Sequence, residues 1–242
     1  MKRKVLFLTP AYDGGKSNYI HFFAALQKQC FEREIQLDLR TIDEHSNITV
    51  ARNYGSACVM LGDWDDVLCV DNDVSCDVKH VFAMLESEHD WVQCAVPLRK
   101  YHFDRAFEAA RRGHPHPENL LVEFNTKMLR GLKTQEDFLK HLDGKGCLEI
   151  DRGGIALARL RRAVFEKMEK AYPELTYAPA EGVLSVALFN SFLEQRVNYA
   201  EDMSFAKRWR KNGGRIWLYL DAEVTHRGSM SVTGNFAKAV GL

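Results

Sequence analysis

Two aspartates, Asp71 and Asp73, follow directly on the apolar run Asp66–Val70 and flank Asn72. Carboxylates at i and i+2 in an extended turn can point the same way and offer hard oxygen ligands to Mg²⁺ or Mn²⁺, cations that neutralise phosphate. In an open α/β sheet the ligand lies beyond the carboxyl ends of the strands, which is where this pair would sit. A solvated turn is the competing reading. A second D-x-D, Asp63-Trp64-Asp65, falls before the strand, at the opposite edge. Pro10, Ala11, Tyr12, Asp13, Gly14 and Gly15 follow the first apolar run, where an aromatic ring and pliable backbone suit a base and ribose, or merely a strand-to-helix turn. The stretch is not a P-loop, because the G-x-x-x-x spacing is missing. Arg52, beside Asn53, can meet phosphate, orient a carboxylate, or stand exposed on its helix. Glu201 and Asp202 open a helix near the C-terminus, either as partners of its dipole or with one of them taking a proton from an attacking hydroxyl. His226 follows the last apolar run and is either structural or part of a Mn²⁺ site.

The elements that carry these residues can be read from periodicity. Lys4–Thr9 is a buried strand stopped by Pro10, and Ser17–Phe31 has helical spacing. Ile35–Ile42 alternates as a second strand. Ser46 and Asn47 can cap a helix running to Leu61, with Ile48, Ala51, Gly55 and Cys58 on its inner face. Asp66–Val70 is a strand, Val78–Ser87 a helix and Trp91–Val96 a strand. This alternation implies a mainly parallel sheet covered on both faces, a Rossmann-like half over residues 1–98. Residues 99–242 are less regular but contain no linker, so the chain reads as one domain. Arg99–Gly113 is a basic, aromatic segment with helical character, and residues 99–130 suit a lid, an acceptor surface or a solvated helix with an aromatic face. Thr134–Leu142 is a short helix, Leu148–Leu160 is apolar around Gly153-Gly154, and a helix over Leu160–Ala171 follows. Pro173–Gly182 reads as loop. A helix over Ala200–Asn212 stops at Gly213-Gly214, and Arg215–Leu220 is the last strand.

Composition narrows the function classes. The 242 residues are 46% hydrophobic and 27% charged, as in a globular protein and unlike a disordered chain. Thirty-three basic residues balance 33 acidic ones, against a dedicated binder of nucleic acid or anionic membrane. No apolar run approaches the ~20 residues of a membrane span, and the Val5–Leu8 run is too short for a signal peptide. Six scattered cysteines without a C-x-x-C pair read as buried small hydrophobes in a reducing compartment, so a cytoplasmic location is expected.

In their order these segments resemble nucleotide-sugar-dependent glycosyltransferases of the GT-A fold, family-2-like enzymes in particular. The resemblance covers the strand into Pro10 and Tyr12, Ala51-Arg52-Asn53, and the strand into Asp71-Asn72-Asp73. It continues with Gly153-Gly154-Ile155-Ala156-Leu157 leading to Arg161–Phe165, Glu201–Phe205, Gly213-Gly214 and His226, and leaves 100–147 unmatched. It implies that Asp71, Asp73 and His226 hold Mn²⁺ or Mg²⁺, with Asp73 the first ligand. A nucleotide-sugar donor would then contact Pro10, Tyr12, Asp43, Arg52, Asp71, Asn72, Gly153 and Gly154. Gly153 and Gly154 would let donor and acceptor approach the backbone. Asp202, with Glu201 beside it, matches the carboxylate that deprotonates the acceptor hydroxyl in inverting enzymes. The segment Phe205–Trp209 departs from the Q-x-x-R-W pattern of processive synthases, so single transfer is expected. The acceptor can be a glycan, a lipid-linked sugar, a protein side chain or a modified nucleic-acid base. Two rivals stand beside this reading. A nucleotidyltransferase would need a Gly-rich basic loop for a triphosphate, where only Lys16 is at hand. A non-catalytic nucleotide- or carbohydrate-binding module would have no need of Asp71, Asp73, Asp202 and His226 together.

Overall fold

Val5, Leu6, Phe7 and Leu8 are all buried, and their side chains alternate between two hydrophobic cores, as the period-2 geometry of a strand covered on both faces requires. The computed structural model describes residues 2–12, 15–43, 45–132, 134–228 and 231–241. In the first part β1 (Lys4–Pro10), α1 (Ser17–Glu32), β2 (Gln36–Ile42), α2 (Ile48–Leu61), β3 (Asp66–Val70), β4 (Val74–Cys76), α3 (Val78–Glu86) and β5 (Trp91–Cys94) follow the expected alternation closely. Then come α4 (Phe103–Arg111), β6 (Thr126–Met128), α5 (Gln135–Leu139), β7 (Cys147–Gly153), β8 (Leu157–Arg161) and α6 (Arg162–Ala171). The hairpins β9 (Thr176–Ala180)–β10 (Val183–Val186) and β11 (Phe192–Glu194)–β12 (Val197–Tyr199) lead into α7 (Glu201–Lys211). The chain ends with β13 (Ile216–Tyr219), β14 (Glu223–Arg227), β15 (Ser231–Asn235) and α8 (Phe236–Val240).

Eight strands form one sheet in the order β2-β1-β3-β8-β5-β13-β7-β6. β1 pairs in parallel with β2 and β3, and β13 with β5; β8 and β7 are antiparallel to their neighbours, so six of the eight strands point the same way. This is a mixed, mainly co-directional α/β sheet. Phe22 and Leu26 of α1 with Val81 and Leu85 of α3 cover one face, and Val59 of α2, Phe165 of α6 and Phe205 of α7 cover the other. β8, from the second half of the chain, lies between β3 and β5 and is wholly buried up to Arg161.

Local chemistry sets the ends of the elements. Asn47 caps α2 by accepting from the Thr49 amide at 2.9 Å. Arg159 of β8 is fully buried and donates to the carbonyls of Met84, Ser87 and His89 at 2.9, 2.8 and 2.6 Å, closing the C-terminal end of α3. Burial pulls its pKa down to about 10, with Asp66 opposing that shift. Gly213, at φ +77°, ends α7 in the left-handed conformation. Gly214 makes room for the Trp209 indole: a Cβ there would lie 2.0 Å from Trp209 Cε2. Gly214→Ala therefore lowers stability by about 1–3 kcal/mol, read from the urea midpoint, through overpacking and not through strain in φ.

Pro173–Gly182 is not simply loop. After a short 3₁₀ turn it forms β9, which pairs with β10 across a turn in which Gly182 has φ +74°. Pro179 is tolerated because this two-stranded hairpin stands apart from the main sheet and its register slips between Val183 and Ser185. All six cysteines are free, and Cys30, Cys69, Cys94 and Cys147 are buried in the core. Among the described residues no helix is long and apolar enough to cross a membrane.

Candidate active site

The C-terminal ends of β1, β3 and β5 open onto the same edge of the sheet. Beyond β1 and β3 a cleft of about 180 Å³ is lined by Pro10, Tyr12, His45, Ser46, Ile48, Asp71, Asn72 and Asp73. Tyr12 is 65% exposed, so its ring is open to a planar ligand. Asp43 follows β2, whose last residue Ile42 pairs with Pro10, but it is exposed and does not line the cleft. Asp13 and Gly14 lie outside the described residues. Asp63 and Asp65 sit at the far edge, bonded to Lys4, which separates the second D-x-D from this site.

Asp71 and Asp73 have different neighbours. The Val74 amide donates to the Asp71 carbonyl at 3.0 Å, so residues 71–74 form a turn and the two carboxylates take different partners. Asp71, expected beside Asp73 as a metal ligand, accepts from Arg52 Nη2 at 2.9 Å through its Oδ1. Arg52, expected to touch the donor, is only 6% exposed, and its Nε lies 3.7 Å from Glu201 Oε1. It is an orienter of carboxylates. Burial opposes its charge, but Asp71, Glu201 and Asp202 more than hold the proton on. One guanidinium thus ties the end of β3 to the start of α7.

Asn53, next in α2, donates to Asn190 Oδ1 and accepts from the Phe189 amide, both at 2.9 Å. The Phe189 carbonyl in turn accepts from Ser204 Oγ at 3.1 Å, and Arg208 donates to the Asn190 carbonyl at 2.8 Å. These bonds fix the first turn of α7, which presents Glu201 and Asp202. Asp202 Oδ1 accepts from the Met203 amide at 2.7 Å, leaving Oδ2 for other work. Burial first, and then repulsion from Glu201, push Asp202 up to about 6, against the pull of Arg52 and the Met203 amide.

Asp73 faces Arg99 at 3.0 Å and His226 Nε2 at 3.4 Å. The ladder between β4 and β14 sets this: His226 is opposite Val74, and the Arg227 amide donates to the Asp73 carbonyl at 2.8 Å. His226 Nδ1 lies 2.8 Å from the Pro97 carbonyl, which can only accept, so Nδ1 carries the hydrogen and Nε2 is aimed at Asp73. Burial works against a charged ring, but the Asp73 carboxylate and the Pro97 carbonyl outweigh it and raise the pKa. An imidazole nitrogen oriented by a carbonyl, opposite a carboxylate, is also a donor pair that suits Mn²⁺ or Mg²⁺. Among the described residues no group of three or more His, Cys, Asp or Glu side chains is gathered for a metal.

Neighbouring side chains crowd both Gly153 and Gly154. A Cβ on Gly153 would lie 2.0 Å from Gln93 Nε2, and one on Gly154 would lie 2.4 Å from Asn125 Nδ2 and 2.7 Å from Asp202 Oδ2. Both glycines admit neighbouring side chains, and Gly154 does so at the carboxylate itself. Asn125 escaped the reading of the sequence as a site residue, and Arg99 was read as part of a lid or acceptor surface and not as a partner of Asp73.

No family model and no curated protein matches this chain. Among solved structures it is similar to a Drosophila β-1,4-galactosyltransferase 7 mutant in complex with manganese, UDP-Gal and xylobiose, with 10% identity and a TM-score of 0.43. That match covers 90% of this chain and 66% of the other, so this chain spans just under two thirds of it. Two structures of UDP-glucose pyrophosphorylase are similar too, one with UDP-glucose and one apo, with 11% and 10% identity and TM-scores of 0.42 and 0.43. They cover 90% and 100% of this chain, and 90% and 96% of theirs.

Proposed function

We propose that this chain is a metal-dependent glycosyltransferase that moves a sugar from a nucleoside-diphosphate sugar to an acceptor hydroxyl, by a single displacement and without processive synthesis. The observation that carries this reading is the Arg52 link. It joins the cleft that ends in Asp71 to Glu201, the neighbour of Asp202, a carboxylate whose pKa of about 6 suits a general base.

Tyr12 and the cleft floor take the base and ribose. Asp73 and His226 would hold Mn²⁺ or Mg²⁺, whose remaining positions suit phosphate oxygens and water. When bound, the cation offsets charge on the departing diphosphate. Arg99, half exposed and already at Asp73, adds positive charge on the same side. Arg52 holds Asp71 and Glu201 in place, and Asp202 Oδ2 takes the proton of the attacking hydroxyl. Asn72 completes the rim of the donor site.

Turnover separates this reading from nucleotide-sugar synthesis. With UDP- and GDP-sugars and Mn²⁺, the chain is expected to release nucleoside diphosphate, and chelation by EDTA is expected to abolish the release. Formation of UTP from UDP-glucose and pyrophosphate, without diphosphate release, would instead establish a nucleotidyltransferase.

A further inference from the structure

Asn125 sits in the stretch that resembles nothing in particular, yet its orientation is fully determined. Its amide donates to the Val96 carbonyl at 3.1 Å, its own carbonyl accepts from the Gly154 amide at 3.0 Å, and its side-chain Oδ1 accepts from the Val96 amide at 3.1 Å. A backbone N–H can only donate, so the side-chain oxygen is assigned to Val96 and the NH₂ group points the other way. There it meets the space that Gly154 leaves empty of a side chain. Nδ2 is 2.4 Å and Asp202 Oδ2 is 2.7 Å from the point a Gly154 Cβ would occupy. The two atoms are therefore at most about 5 Å apart, one a hydrogen-bond donor and the other an acceptor, side by side over Gly154. Asp202 Oδ1 is already engaged by the Met203 amide, so Oδ2 is the oxygen left to work beside Asn125.

We propose that Asn125 Nδ2 and Asp202 Oδ2 together seat the acceptor hydroxyl, making Asn125 a catalytic residue that fixes the nucleophile's orientation. This inference rests on the transferase reading above. The hydroxyl donates its hydrogen to Asp202 Oδ2 and accepts from Asn125 Nδ2, and its second lone pair faces the anomeric carbon. In the step the O–H bond breaks and the proton goes to Asp202. The new glycosidic C–O bond forms, the bond from the anomeric carbon to the diphosphate oxygen breaks, and that electron pair leaves with the diphosphate. The seat also defines a substrate class. A hydroxyl both donates and accepts, whereas an ammonium group has no lone pair for Asn125. Oxygen acceptors are thereby favoured over protonated amines.

The test uses the full chain with UDP- and GDP-sugars and Mn²⁺, a panel of simple alkyl glycosides as acceptors, and two variants. Asn125→Ala removes the donor, and Asn125→Asp keeps an oxygen for the Val96 amide while replacing the donor by an acceptor. Both are expected to lower the kcat for transfer by roughly tenfold or more, with UDP or GDP affinity in the presence of Mn²⁺ unchanged by calorimetry. Asn125→Asp is also expected to move the acid limb of the pH profile to higher pH, because a second carboxylate beside Asp202 disfavours its ionised form. Loss of the packing of 125 alone would not move that limb. Wild-type turnover and an unmoved pH profile in Asn125→Asp, in an active wild-type background, would overturn the role of Asn125 and leave the transferase reading standing. A wild-type chain that releases no nucleoside diphosphate from any of these sugars would overturn both.

Discussion

Asp202→Asn is expected to lower transfer by about 10²–10⁴-fold while leaving nucleotide affinity in the presence of metal nearly unchanged. The amide keeps an oxygen for the Met203 N–H, so the first turn of α7 stays as it is, but it cannot take a proton. Steady-state kinetics beside calorimetry with UDP and GDP check the two halves of this statement. The same carboxylate gives the pH dependence its sign. A base must be ionised, so activity rises with pH through about 6, where Asp202 titrates. Stability runs the other way. The folded-state pKa is raised, so the stability that Asp202 contributes is fully present below its unfolded pKa of about 4 and is lost as pH rises through about 6. At pH 7 the Asn variant is therefore more stable than the native chain, by about 2 kcal/mol, in urea unfolding. A variant both slower and more stable is the signature of a group held for chemistry at the expense of the fold.

Arg52→Met is expected to have the largest effect on stability. The guanidinium is buried, bonded to Asp71 at 2.9 Å and 3.7 Å from Glu201, with Asp202 near enough to influence its charge. Removing it leaves these carboxylates facing one another without a cation, which costs about 3–5 kcal/mol for a buried pair. Metal-dependent nucleotide binding is expected to fail with it, because Asp71 loses the contact that holds it at the cleft. Arg52→Lys recovers only part of the loss, since a single ammonium cannot reproduce a planar fork between two carboxylates. Pairing Arg52→Met with Glu201→Gln should recover some of the stability, and the shortfall from additivity measures the coupling of Arg52 to Glu201.

Much of the fold was legible where its signals are local. The apolar run into Asp71 is buried throughout, Asn47 caps α2, and the Gly213-Gly214 pair ends α7, each decided within a few residues of chain. The register of β8 between β3 and β5 was not legible, because pairing over some ninety residues leaves no periodicity in the segment itself. The same limit applies to Arg159, which looks like a charge misplaced in an apolar run until the three carbonyls it serves are brought to it.

In the site, residue types were easier to read than roles. Asp71, Asp73, Asp202 and His226 do converge on one edge of the sheet. Yet the turn bond from Val74 parts the two aspartates, and Arg52, which an exposed-helix reading would leave in solvent, turns inward to serve them. Gly153 and Gly154 were noticed for a ligand's approach, but the atoms nearest to them belong to Gln93, Asn125 and Asp202. Hydrogen-bond partners separated by tens of residues are a property of the fold and not of spacing.

The central claim is a joint site for metal and nucleotide at the end of β3, and thermal unfolding tests it most directly. The chain would be heated with UDP, GDP and their sugars, each with and without Mn²⁺. A ligand that binds only the folded state stabilises it by about 2.7 kcal/mol at roughly a hundredfold excess over its dissociation constant. A rise in Tm is expected that requires metal and one nucleotide together and is lost in Asp73→Ala. A cooperatively unfolding chain whose Tm is unmoved by every nucleotide, with or without Mn²⁺, would contradict it.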